Sequence, residues 1–71
     1  MKLKTTKVEF PFYVSEFAKL RSTIVLKALA HEVEERENHL IVEYDEDNDT
    51  AIHQFLLLLM ENEIVECNLY I

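Results

Sequence analysis

Three aspartates at alternate positions form the arrangement in this chain that is closest to a metal site. Asp45, Asp47 and Asp49 have the spacing of the first three ligands of a calcium-binding loop. The sixth loop position is Thr50 instead of glycine, and the twelfth is Leu56 instead of a bidentate glutamate. This excludes a strong EF-hand site. A solvated turn that caps a following helix is the favoured interpretation, with a weak divalent-cation site as the alternative.

A cysteine paired with a histidine would be another route to chemistry. Cys67 is the only thiol of the chain, and His39 or His53 would be its base. A reactive thiolate requires nearby positive charge, whereas acids such as Glu66 adjoin this cysteine. Cys67 also occupies an inward position of the predicted last strand, where cysteine is usually a small buried apolar residue. The three histidines are scattered, without an i, i+4 pair. We therefore predict no enzymatic activity, no cofactor and no metal.

The net charge of −7 is unevenly distributed along the 71 residues. Residues 1–27 hold six basic and two acidic side chains, whereas residues 28–71 hold one basic and twelve acidic ones, giving +4 and −11. We expect no direct contact with nucleic acid, because the acidic part would repel phosphates. A basic protein surface is the more plausible partner. The predicted acidic surface consists of Glu34, Glu35, Glu37, Asp45, Glu46, Asp47 and Asp49.

The chain contains no glycine, which excludes P-loops and glycine-rich dinucleotide motifs. The single cysteine excludes a disulfide within the chain. A domain of this size is marginally stable and usually needs disulfides, metal or oligomerisation, so oligomerisation is the expected supplement. The sequence shows no signal peptide and no run long enough to span a bilayer, and a lone cysteine fits a reducing compartment. We expect a cytoplasmic protein without a membrane partner.

Hydrophobic periodicity predicts a strand and then a long helix in the first half of the chain. Residues 2–10 are typical of a lysine-bearing edge strand, which Pro11 ends. Ser15 is a suitable N-cap for a continuous helix that frays near Glu35. Apolar residues at spacings of three and four predict its core-facing side, which consists of Phe17, Leu20, Ile24 and Ala28, widened by Val25, Leu29 and Val33.

Three further elements are predicted in the second half. Residues 39–44 form a strand, Asp49 or Thr50 caps a helix that runs to residue 62, and residues 64–71 form a last strand. The predicted class is α/β of the two-layer α+β type, one domain over 1–71. Its order is β-α-β-α-β, with a three-stranded sheet and two helices packed on one face. Helical crossovers favour parallel neighbouring strands.

Residues 55–60 are six consecutive apolar side chains, Phe-Leu-Leu-Leu-Leu-Met. On a helix they cover the whole circumference, which is more than a two-layer domain can bury. The surplus predicts association, with the open face of the sheet as a second candidate surface. The predicted interface residues are His53, Leu57, Leu58, Met60 and Tyr70.

These observations favour a small acidic, non-catalytic interaction or regulatory module that acts as a homodimer and binds an unidentified protein, in keeping with a basic partner surface. One alternative is an acidic mimic of nucleic acid that inhibits a nucleic-acid-binding protein, by analogy of size and charge with anti-restriction and anti-CRISPR factors. A second alternative is a small carrier or enzyme subunit, since small sulfur-carrier proteins share a βαβαβ sheet. Their Cys-Pro motif is absent here, where Phe10 precedes Pro11.

Overall fold

The computed structural model describes residues 2–66. Its elements are strand β1 (Leu3–Glu9), helix α1 (Glu16–Leu29), strand β2 (Glu32–Glu35), strand β3 (His39–Asp45), a 3-10 turn (Glu46–Asn48) and helix α2 (Asp49–Glu61). A mixed α+β fold with a three-stranded sheet and two helices confirms the predicted class. The order also agrees when β2 and β3 are counted as one hairpin. The last strand is predicted over residues 64–71. Within this range, Glu66 forms an isolated antiparallel bridge with Glu9, and residues 67–71 lie outside the described residues.

The sheet has the order β1-β3-β2, and both pairings are antiparallel. Val8 lies opposite Leu40, and Val33 lies opposite Val42. The expectation of parallel neighbours is wrong, because a loop of three residues joins β2 to β3 and so short a connection permits only antiparallel pairing. Strands β1 and β2 do run in the same direction, as a helical crossover allows, but β3 lies between them.

Helix α1 ends at Leu29, and the predicted continuation to Glu35 is wrong. Ala30 is extended, with φ −99° and ψ 163°, and the chain enters β2 two residues later. Two features of the sequence explain why α1 ends at this position. Acidic side chains at the end of a helix oppose its dipole, and Val33 between two glutamates has the alternation of a strand. As part of β2, Val33 packs against the core.

The core lies between the sheet and both helices. The inward side chains of the strands are Val8, Leu40, Val42 and Tyr44, and those of the helices are Leu26, Ile52, Leu56 and Leu59. All are less than 7% exposed. Both helices therefore pack on one face of the sheet, as predicted. The opposite face carries Ile41 between Lys7 and Glu34, so it is of mixed polarity.

The C-terminus of α2 has a hydrogen-bond pattern that usually contains glycine. The backbone N–H of Glu63 donates to the Met60 carbonyl at 3.0 Å, and that of Ile64 donates to the Leu59 carbonyl at 2.9 Å. These are the two bonds of a Schellman motif. Glu63 occupies its left-handed position, with φ 57°. In a chain without glycine, a glutamate bears the steric cost of this conformation.

Candidate interaction surface

Helix α1 packs on the sheet through a side that is largely made of small polar residues. Ser22 and Thr23 are only 3% and 4% exposed. Their hydroxyls donate to the carbonyl oxygens of Ala18 and Lys19, at 2.9 and 2.8 Å. Because these hydroxyls are satisfied within the helix, burial leaves no polar group without a partner. Short side chains also allow a close approach, and the fully buried Leu26 completes the contact.

The bulky apolar side chains of α1 point away from the core. Phe17, Leu20, Ile24 and Val25 are 68%, 56%, 58% and 38% exposed. At 100° per residue, the first three fall within about 60° of one another and lie roughly opposite Leu26. We call these four residues the α1 apolar face. The predicted core side was Phe17, Leu20, Ile24 and Ala28, and this prediction is wrong, because the side with the small residues packs against the sheet instead.

Charged side chains of both signs border the α1 apolar face, and two of the three cations among them are paired with carboxylates. The guanidinium of Arg21 lies over the Phe17 ring, 5.8 Å from its centroid, in a cation–π geometry. Lys19 Nζ lies 3.3 Å from an oxygen of Glu16. Lys27 Nζ lies 3.1 Å from an oxygen of Glu35 on the neighbouring strand β2. The border therefore carries both signs of charge, in a protein whose net charge is −7.

The exposed apolar surface of α1 is comparable in size with the largest apolar patch of a typical monomer. If each of its four side chains exposes about 100 Å², the α1 apolar face amounts to about 400 Å². Phe12 and Tyr13, in the turn that precedes α1, are 99% and 58% exposed and contact each other edge to face. These two aromatic residues add about 300 Å². The largest patch on a typical monomer is about 300–600 Å² and is often functional.

The interface predicted on α2 has a mixed outcome in the structure. Leu57 and Leu58 are 43% and 54% exposed, so part of the apolar run at 55–60 does face outward. Met60 is partly buried and packs against the core. His53 is buried, and its side chain contacts core residues instead of an outer surface. Tyr70 lies outside the described residues.

A polar cluster in which only Tyr44 and His53 are buried joins α2 to two strands. His53 Nε2 lies 3.3 Å from the Tyr44 hydroxyl and 3.5 Å from Asp49 Oδ1. Lys4 Nζ on β1 lies 3.5 Å from the same oxygen of Asp49. Burial raises the pKa of Tyr44 above its ordinary value, and the neighbouring Asp49 raises it further. A phenol that is held in its neutral form is a poor base and a poor nucleophile, so the cluster is best suited to fastening α2 to β1 and β3.

The predicted acidic surface is divided into two groups by the fold. Glu34, Glu35 and Glu37 lie on β2 and in the following turn, whereas residues 45–49 lie at the other end of β3. Because Glu34 lies opposite Ile41, four residues from Asp45, the groups are about 14 Å apart at 3.4 Å per residue, and the paired Glu32 and Glu43 lie between them. Several of these carboxylates are also paired with cations: Glu34 with Arg36, Glu35 with Lys27, and Asp49 with Lys4.

The side chain of Asp45 and the backbone of Asp47 are joined by a hydrogen bond at the start of the 3-10 turn. Asp45 Oδ1 accepts a hydrogen bond of 2.9 Å from the backbone N–H of Asp47, which caps the 3-10 turn. The predicted cap of α2 by Asp49 or Thr50 is wrong, because α2 already begins at Asp49 and its N-cap Asn48 makes no side-chain capping hydrogen bond. Among residues 2–66, no group of three or more His, Cys, Asp or Glu side chains is arranged to hold a metal ion. Cys67 lies outside that range, so the structure does not describe a thiol.

No helix within the described range is long and apolar enough to cross a membrane. Comparisons of this chain with protein-family models, with curated proteins and with solved structures found no match. The geometry of the described residues is therefore the basis for a functional proposal, and the α1 apolar face is its most distinctive feature.

Proposed function

We propose that this protein is a non-catalytic protein-interaction module of the cytoplasm whose binding surface is the α1 apolar face. The orientation of α1 carries the proposal. Its side with Ser22, Thr23 and Leu26 is buried, while Phe17 and Ile24 are more than half exposed. A helix that needed only to stabilise a monomer would bury its largest apolar side chains, since burial of each contributes about 1.5–3 kcal/mol.

The energy available at this face is sufficient for binding. Covering about 400 Å² of apolar surface stabilises a complex by roughly 10 kcal/mol at 25 cal/mol per Å². Association and the ordering of side chains cost several kcal/mol or more, so a usable affinity requires most of the face to be covered. The aromatic ring of Phe17, with Leu20 and Ile24 on either side, is a suitable centre for such an interface.

The acidic residues support specificity in this proposal. Residues 28–71 carry a charge of −11, which repels other acidic proteins and favours contact at the mixed-charge border of the α1 apolar face. The alternative of nucleic-acid mimicry stays a prediction with less support. Several of its carboxylates already have cationic partners within the chain, such as Glu35 with Lys27 and Glu34 with Arg36.

Affinity capture with matched variants tests the proposal. Wild type, Leu20→Glu and Leu57→Glu are immobilised and exposed to a lysate of the source cells. Leu57 is the control, because it is the same residue type with similar exposure on the other helix. We expect bound protein, including any second copy of this chain, to be retained by wild type and Leu57→Glu and lost with Leu20→Glu. Equal retention by all three would rule out the α1 apolar face as the binding surface.

A further inference from the structure

We infer that the occupant of the α1 apolar face is a second copy of this chain, with the two α1 helices packed antiparallel around a twofold axis near Leu20. This inference rests on the proposed function, because it names the partner of the same surface. The expected assembly is a symmetric homodimer in which α1, and not α2, forms the contact between the two copies.

The arrangement of bulky residues on α1 is self-complementary. Leu20 lies between Phe17 and Ile24, three residues from one and four from the other. In an antiparallel pair centred near Leu20, each Phe17 meets the partner's Ile24, and the two copies of Leu20 meet each other. A twofold interface requires this kind of match, in which one patch serves both subunits. Residues spaced by three and four form the ridges that pack between helices.

On the flank that carries Glu16 and Lys27, the charges match in the same arrangement. Glu16 and Lys27 are eleven residues apart, which places them within about 20° of each other around α1 and therefore on one flank of the face. In an antiparallel pair, each Glu16 comes opposite the partner's Lys27, so the contact forms twice. Both side chains are available, because Glu16 is 92% and Lys27 is 51% exposed in their pairs with Lys19 and Glu35. Opposite charges at these positions favour the antiparallel orientation over the parallel one.

The area agrees with a stable but small interface. The α1 apolar face offers about 400 Å² of apolar surface per copy, or about 800 Å² over two copies. Because apolar atoms make up about 65% of a typical homodimer interface, this corresponds to a total of about 1,200 Å², at the lower end of the range of specific protein–protein interfaces. The acidic second half of the chain would repel the same part of a second copy, whereas the border of this face carries both signs of charge.

Sedimentation equilibrium of the full chain tests whether the partner is a second copy of the chain. Wild type should be a dimer, Leu57→Glu should remain one, and Leu20→Glu should raise the dissociation constant about tenfold or more. Circular dichroism confirms that each variant is folded. A monomeric wild type would overturn the inference, and so would a dimer that Leu57→Glu breaks and Leu20→Glu does not. A monomer that still loses a captured protein through Leu20→Glu would leave the proposed function standing and remove only the homodimer.

A charge exchange tests the orientation. Glu16→Lys and Lys27→Glu each place like charges at both contacts of the dimer, and each should weaken it about fivefold. Mixing the two variants should restore an affinity near that of wild type, because a heterodimer again has opposite charges at both contacts. Raising the salt concentration should reduce these differences. Mixtures no tighter than either variant alone would overturn the antiparallel pairing of α1.

Discussion

The orientation of α1 predicts opposite outcomes for two neighbouring apolar residues. Leu26 is fully buried in the cluster with Ile52 and Leu56, whereas Ile24 is 58% exposed. Truncation of a buried leucine removes its transfer energy and leaves a cavity, so Leu26→Ala should cost about 3 kcal/mol. A domain of this size has a total stability of roughly 4–11 kcal/mol. We expect the midpoint of thermal unfolding to fall by about 12–24 °C.

Ile24→Ala should leave the stability of the monomer unchanged or raise it by a few tenths of a kcal/mol, because alanine has the higher helix propensity. Urea unfolding followed by circular dichroism measures both variants, at a protein concentration low enough to keep the chain monomeric. Dilution is necessary because a dimer would add to the apparent stability of any variant with an intact face. Comparable losses for Ile24→Ala and Leu26→Ala, or a larger loss for Ile24→Ala, would show that α1 presents a different side to the sheet.

Three further expectations concern sites away from the proposed interface. Glu63→Gly should raise the free energy of unfolding by about 1 kcal/mol, since glycine adopts the left-handed position without steric cost, while Gln54→Gly in the exposed interior of α2 should lower it by about as much in the same urea titration. The raised pKa of Tyr44 means that the unfolded chain ionises first, so the stability that this residue contributes is complete below pH 10.0 and is lost as the pH rises through the folded pKa. A phenolate absorbance titration should show a late component that Tyr44→Phe removes, and its persistence in that variant would assign it to another tyrosine. Ser15→Ala should cost about 1 kcal/mol of thermal stability, because the serine side chain accepts the 3.1 Å bond from the Ala18 N–H that begins α1, and an unchanged melting temperature would show that this cap is dispensable.

Local signals predict much of this fold. The alternation of Leu40, Val42 and Tyr44 identifies the buried side of β3, and the capping role of Ser15 identifies the start of α1. Strand β2 is harder to find, because four residues with one inward valine cannot be distinguished from the frayed end of a helix by periodicity. The strand is decided by hydrogen-bonded pairing with β3, which the residue pattern of β2 by itself does not show.

The α1 apolar face could not be predicted from the apolar run on α2. The run at 55–60 indicates surplus apolar area, and Leu57 and Leu58 are indeed partly exposed. The larger exposure is on α1, where periodicity identifies an apolar face but cannot say which way that face points. Ser22 and Thr23 are the residues of the sequence that could indicate the orientation of α1. Their hydroxyls can form hydrogen bonds within the helix, and their small size lets this side of the helix approach a sheet closely.

The two sides of α1 argue that its sequence serves more than the stability of one copy. Most of the core consists of Leu40 and Val42 of β3 together with Ile52 and Leu56 of α2. A side of α1 that carries mainly small residues is therefore enough to complete the core. For the monomer alone, polar residues at 17, 20 and 24 would give a more soluble helix with the same core. Bulky apolar residues at all three positions cost solubility and contribute little to the folded monomer. Their presence is explained if a partner buries them. In such a complex, burial of Phe17 and Ile24 would stabilise binding in the way that burial of Leu26 stabilises the folded monomer.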